Sequence, residues 1–169
     1  MLDRLIDFIL GFIELFKFWR VIPVNKRGVK TRWGVNPVEL KSGFHFVLPF
    51  EIDHVQTFIV EPEWGSSTPV YFTTSDLKTA VVMPCVKYKI VDTVAWAYAE
   101  NDALSNLYEV VAVSTLEVLS DCDWKECLQK TTYTKIKNKI KSRSENLGVE
   151  VIDFTLQGLS LCRLLITKL

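Results

Sequence analysis

Only two histidines occur in the chain, His45 and His54, and both fall within one stretch, Leu40-Lys-Ser-Gly-Phe-His-Phe-Val-Leu-Pro-Phe-Glu-Ile-Asp-His-Val55. An imidazole that titrates near neutrality is the usual general base, but it needs a nucleophile or an acid to work on. None is identifiable beside either ring, so His45 reads as a packed strand residue. Four cysteines, Cys85, Cys122, Cys127 and Cys162, are too few and too scattered for a disulfide framework. Cys122 and Cys127 have four residues between them rather than the two of a zinc knuckle, and buried or idle thiols are expected. Glu61 and Glu63 flank Pro62 on a loop with no partner for acid–base work. The seven glycines form no dinucleotide or phosphate loop, and Gly-x-Ser-x-Gly and His-Glu-x-x-His are absent. The sequence therefore predicts no enzyme, and no cofactor or metal.

What remains is surface chemistry, apolar and basic. Residues 2–22 are dominated by Leu, Ile, Phe, Val and Trp, with Asp3, Arg4, Asp7, Gly11 and Glu14 on one stripe at helical spacing and Pro23 as the stop. The longest run without a charge is Phe8 to Ile13, well short of the roughly 18–20 residues of a bilayer span. On an insertion scale the apolar residues contribute about −6 kcal/mol, and Asp7 with Glu14 costs about as much. An amphipathic helix lying in the interface is favoured, with a single span as the alternative. A core helix would need partners on nearly every side.

The membrane-binding side chains expected from this segment are Leu5, Phe8, Ile9, Phe12, Ile13, Phe16 and Trp19, with Lys17, Arg20, Lys26 and Arg27 on lipid headgroups. No acid occurs between Leu15 and Val38, whereas Lys17, Arg20, Lys26, Arg27, Lys30 and Arg32 are all basic. Each such charge near an anionic leaflet is worth about 1 kcal/mol, and the excess of positive charge predicts that the body lies on the cytoplasmic side.

The 169 residues carry a formal net charge of zero, which argues against a nucleic-acid partner, and 49% of them are hydrophobic, enough for a substantial core. No cleavable signal peptide is visible, and a reducing, cytoplasmic setting is expected.

The elements that must position these groups can be read in order. Val29 to Trp33 is a short strand, and residues 35–39 form a loop around Pro37. Gly43 supplies a turn into an apolar strand closed by Pro49, with Phe44, Phe46, Leu48 and Phe50 on one face and His45 and Val47 on the other. Val55 to Val60 follows. Leu77 to Val91 is a long strand with Ala80, Val82, Val86, Tyr88 and Ile90 on one face, and Pro84 within it predicts an edge position or a bulge.

A helix capped by Asn101 or Asp102 buries Leu104, Leu107, Tyr108, Val111, Thr115, Val118 and Leu119. Asp123-Trp-Lys-Glu126 resembles a capping box opening a second helix to Leu147, with Gly148 as its stop and Tyr133, Ile136, Ile140 and Leu147 as a narrow seam. Its other faces carry Lys130, Lys135, Lys137, Lys139, Lys141 and Arg143, expected to be solvated or paired with acids of a neighbouring subunit. Residues 148–156 form a last strand.

Val24-Asn-Lys-Arg-Gly-Val-Lys-Thr-Arg-Trp-Gly34, then Leu40 to Phe50 and Asp53-His-Val55, resembles the amino-terminal signature of the SPFH superfamily, which contains stomatins, prohibitins and flotillins. Ser42-Gly43 stands where that family usually has Pro-Gly. Thr73-Thr-Ser-Asp76, the long strand ending in Tyr88-Lys-Ile90, and Asp92 continue the resemblance, and residues 148–156 match its closing strand, with Leu147 in place of a common Trp. The resemblance covers about residues 21–161.

It implies an α+β fold: an SPFH (PHB) domain with a β-rich first subdomain, 23–98, a helical second subdomain with closing strand, 99–158, an apolar membrane helix before it, 1–22, and a short tail, 159–169. It further implies a non-catalytic, membrane-associated oligomeric scaffold of the stomatin or prohibitin type that organises or protects a membrane patch, or a regulatory module gripping a membrane protease or channel. On this reading Phe44 and Phe50 dip into lipid from the lip of the body. Tyr133, Lys137, Leu161 and Leu165 are assigned to a homo-oligomer interface.

Overall fold

The computed structural model describes residues 18–49, 52–99 and 102–162. Leu5, Phe8, Ile9, Phe12, Ile13, Phe16, Lys17, Phe50 and Leu165, and with them the expected helix before residue 18, lie outside the described residues. The chain divides into two units, one ending at Glu61 and one beginning at Pro62. The expected division lies near residue 98. Strands from residue 63 onward share a sheet with the closing strand, so they belong with the helices and not with the amino-terminal strands.

The first unit contains β1 (Trp19–Ile22), β2 (Lys26–Arg32), β3 (Val35–Leu40), β4 (Gly43–Phe46) and β5 (Asp53–Ile59). Residues 19–22 thus form a strand, not the last turn of a helix. Trp, Val and Ile favour extended backbone, and Pro23 disfavours helical geometry in the residue before it. β1 pairs with β4, and β2 lies between β3 and β5, all antiparallel. Ile22, Leu40 and Val55 form the core cluster, with Val47 packed against it. Gly28 makes room for that cluster, since a Cβ there would lie 2.7 Å from Ile22 Cδ1.

The segment around Pro37, expected as a loop, is strand β3. Proline is tolerated because the register shifts there, two residues of β3 opposing one of β2, on a strand whose outer edge pairs with no other strand among the described residues.

The second unit runs β6 (Glu63–Ser66), β7 (Val70–Thr73), β8 (Thr79–Ile90), α1 (Thr93–Ala97), α2 (Ala103–Ser120), α3 (Trp124–Cys127), α4 (Lys130–Ser144), a 3-10 turn (Glu145–Leu147) and β9 (Val149–Leu161). β8 is central: β6 and β7 pair end to end along one edge and β9 along the other. Ala80, Val82, Val86, Tyr88 and Ile90 are buried on one face, as their alternation predicts. α2 packs on β7 and β8, α4 on β9, and the two helices on each other. Leu107, Val111, Leu119, Ile136 and Ile140 are fully buried in this layer.

Pro84 does not lie on an edge strand. Its carbonyl accepts from Ser67 N–H, 3.0 Å away, so its absent N–H faces the gap between β6 and β7, where no ladder bond is lost. A bulge does lie nearby, between Val81 and Met83 opposite β9, where Gly158 takes a left-handed φ of 64°.

The Asp123–Glu126 capping box is present, but it opens only the short α3. Thr132 Oγ1 donates to the Glu126 carbonyl at 2.7 Å, which satisfies the end of α3 and lets Leu128 and Gln129 break the helix before α4 starts.

Candidate functional site

The β1–β4 ribbon pairs Trp19 with Phe46 and Val21 with Phe44. Residues two apart on a strand share a face, so these four side chains form one cross-strand ladder. All are exposed: 56% for Trp19, 61% for Phe46, 65% for Val21 and 68% for Phe44. Phe18 extends the ladder, its ring stacked on Phe46 with centroids 5.9 Å apart. The opposite face holds Ile22, buried, and the pair Arg20 and His45. His45 Nε2 lies 2.6 Å from the Lys41 carbonyl, and the residue is partly exposed.

A run of hydrogen bonds ties this ladder to a second exposed aromatic. Val47 N–H donates to the Phe18 carbonyl at 2.8 Å, and Leu48 N–H to Asp53 Oδ2 at 3.0 Å. Asp53 accepts from Arg32, and Trp33 N–H donates to the Ile52 carbonyl at 2.8 Å. Phe18, Phe46, Leu48 and the turn at Trp33 therefore share one end of the first unit. It is the end at which the chain enters from residues 1–17.

Trp33 and Gly34 are the two central residues of the β2–β3 turn, and both have positive φ, 54° and 73°. That geometry suits a two-residue hairpin, but it favours Asn, Asp or Gly at the first position. Trp33 adopts it and is 73% exposed. Sequence reading missed this residue as a site; the Trp-Gly dipeptide between two strand-like runs was the signal.

The electrostatics of this end are set by one buried carboxylate. Asp53 is 7% exposed and bridges Arg32, with Nε at 2.9 Å, and Lys30, with Nζ at 3.9 Å. The Arg32 hydrogen bond, reinforced by the Leu48 N–H, holds the Asp53 carboxyl below the usual carboxylate range against the opposing effect of burial. One acid thus pairs with two cations of β2, Arg32 and Lys30.

Other expected site residues do not gather here. Lys26 and Arg27 sit at the opposite end of β2, paired across to Ile59 and Phe58, and Arg27 is bound to Glu39 at 3.0 Å. Tyr133 and Lys137 lie together on α4. Lys137 donates to the Ile152 carbonyl at 2.6 Å and faces Asp153 at 3.7 Å. Leu161, half-exposed, ends β9. The basic face of α4 is partly neutralised within the chain, since Lys139 and Arg143 share Glu117 at 2.6 and 3.0 Å. Among the described residues there is no acid, cysteine and histidine cluster able to hold a metal, and no helix long and apolar enough to cross a membrane.

The sequence matches the SPFH domain / Band 7 family over residues 20–164. The chain belongs to that family. No individual curated protein matches it. The SPFH match reaches into both units described above and agrees with the resemblance over about residues 21–161; proteins of this family are generally membrane-associated. Within this SPFH domain the β-rich first part carries the exposed aromatic end, and the helices belong to the later part.

Proposed function

We propose that this SPFH protein is a non-catalytic, membrane-associated scaffold whose copies associate side by side and whose first unit rests on an anionic, cytoplasmic leaflet through the β1–β4 ladder and the Trp33 turn. The observation that carries this reading is the exposed row of Trp19, Phe46, Val21 and Phe44 at the end where the apolar segment 1–17 joins the body.

A two-stranded ribbon has open backbone edges, which hydrocarbon does not tolerate. Its aromatic row therefore sits at headgroup depth, where Trp is favoured, and the half-exposed Arg32 meets phosphate. Fully burying side chains of this size is worth about 1.5–3 kcal/mol each, so one copy binds weakly and an assembly binds firmly. The sequence of residues 1–17 supplies further Leu, Ile and Phe side chains for an interface.

Flotation with phosphatidylserine-containing liposomes tests this. Replacing Phe44 and Phe46 together by serine lowers the bound fraction at limiting lipid by roughly tenfold, with the thermal unfolding curve retained. Unchanged binding overturns the ribbon as a contact and confines it to the amino-terminal segment. Recovery of one stoichiometric membrane protease or channel with the extracted protein, without self-association, turns the reading into that of a regulatory module.

A further inference from the structure

The sheet of the second unit has two outer edges, and each is flanked by a helix. Among the described residues β6 and β9 hydrogen-bond to no strand except β8. Beside β9, a groove of about 470 Å³ against α4 is lined by Leu128, Lys130, Tyr133, Lys137, Asp153 and Phe154. Beside β6, a second groove of about 470 Å³ against α2 is lined by Ser66, Thr68, Ser105, Tyr108, Glu109 and Ala112.

The two grooves differ in sign. The β9 groove holds two lysines, and its single acid, Asp153, is occupied by Lys137 and by the Phe154 N–H at 2.9 Å. Lys130 has no carboxylate partner among the described residues. The β6 groove holds Glu109, with Glu63 on the same side of β6: Gly65, two residues on, lies under the Tyr108 ring, and the charge of Glu63 joins burial in pushing the Tyr108 hydroxyl up. Neither glutamate has a cation partner among the described residues. Lys87 of β8 lies over the Trp64 ring, on the face opposite Glu63 and Gly65.

We propose that the β9–α4 groove of one copy receives the β6–α2 edge of a second copy, Lys130 and Lys137 facing Glu63 and Glu109, in a head-to-tail contact. The inference rests on the self-association proposed above and adds which surfaces make it. A two-fold symmetric contact would set like against like at either groove, whereas a head-to-tail one pairs opposite charges and repeats around a ring. Exposed Leu128 supplies apolar area at the lysine side of the joint. Strand addition is not the mode along Ile152 to Phe154. There the Ile152 carbonyl and the Phe154 N–H are taken by the Lys137 and Asp153 side chains, and a bulge interrupts the edge between Val151 and Asp153.

The test uses the full chain extracted in mild detergent and sized by mass photometry. Lys130→Glu and Glu109→Lys, which leave every intrachain ion pair in place, each lower the assembled fraction by roughly tenfold or more. The double variant Lys130→Glu/Glu109→Lys regains assembly, as does an equimolar mixture of the two single variants, because the signs are exchanged and not lost. Single variants that assemble like the wild type overturn this contact while leaving self-association standing. Singles that disperse without rescue in the double also overturn it, since a symmetric joint behaves that way. A wild-type chain that stays monomeric overturns the scaffold reading and this contact together.

Discussion

Arg32 and Asp53 face each other across the β2–β5 ladder, Nε to Oδ1 at 2.9 Å, with the carboxylate buried and the guanidinium half-exposed. The pair closes the end of the first unit from which Trp33 projects. It also holds the β4–β5 connection, because Asp53 Oδ2 accepts the Leu48 N–H. Replacing Asp53 by asparagine removes the charge that Arg32, Lys30 and Leu48 all point at, and about 1–3 kcal/mol of stability goes with it. Urea unfolding read by tryptophan fluorescence checks this. An unchanged midpoint would show that the bond contributes nothing.

The same pair gives this end its pH dependence. The Asp53 pKa is lowered in the folded state, chiefly by the Arg32 hydrogen bond, so its contribution is complete above the ordinary carboxyl value near about 3.9 and is lost as the pH falls through the lower folded value. In an acid titration the wild type loses its advantage over Asp53→Asn below about pH 4. A difference between the two that persists unchanged at lower pH contradicts the assignment.

Trp33 holds a left-handed backbone that asparagine adopts at lower cost. Trp33→Asn is therefore expected to raise the stability of the first unit by about 1 kcal/mol while weakening liposome binding. Paired thermal-denaturation and flotation measurements separate the two effects. A variant that is more stable and binds lipid as before would remove Trp33 from the membrane surface.

Much of this architecture is written in alternation. Ala80 to Ile90 announces a buried strand face, and Phe44 and Phe46 against His45 and Val47 announce a two-sided one. Where the reading failed, a local signal was outvoted by hydropathy. Trp19 to Ile22 continues an apolar run, so it reads as helix, although Pro23 already biases Ile22 toward extended backbone. Pro84 suggests an edge because a missing donor is visible in sequence, while the gap between β6 and β7 that makes it harmless is not.

Lys137 looks like one more charge in a basic run. Its partners, the Ile152 carbonyl and Asp153, come from a strand beyond the helix, and no spacing rule links them. The opposite signs of the two sheet edges were hidden for the same reason.

Thiol reactivity divides the four cysteines by burial. Cys127 is fully buried, and burial pushes its pKa up to about 11; Cys85 is pushed up by the same cause. The thiolate is the reactive form, so these two resist alkylation at pH 8 as long as the fold persists. Cys162 is only half-buried and is expected to label first. Maleimide labelling followed by peptide mass spectrometry reads this directly. Labelling of Cys127 as fast as Cys162 would mean that the α3 region opens on the same timescale.

Asp76 links the β7–β8 turn to the start of α3. Its Oδ1 accepts from Thr74 Oγ1 at 2.5 Å and from Trp124 N–H at 3.2 Å, and Oδ2 pairs with Lys78 at 2.7 Å. Ser75 strengthens the junction, its N–H donating to the Cys122 carbonyl at 3.1 Å and its hydroxyl to Asp123. The Thr73-Thr-Ser-Asp76 motif therefore acts as a staple between a hairpin and a helix.

Lys78, then Thr74, holds the Asp76 carboxyl down to about 2. The staple is complete above the ordinary carboxyl range and fails only as the pH drops through about 2. Asp76→Ala is expected to raise amide exchange at Trp124 and along α3 at neutral pH while the central strand β8 stays protected. Exchange at Trp124 equal to that of the wild type would show that the Asp123–Glu126 capping box holds α3 without help from the turn.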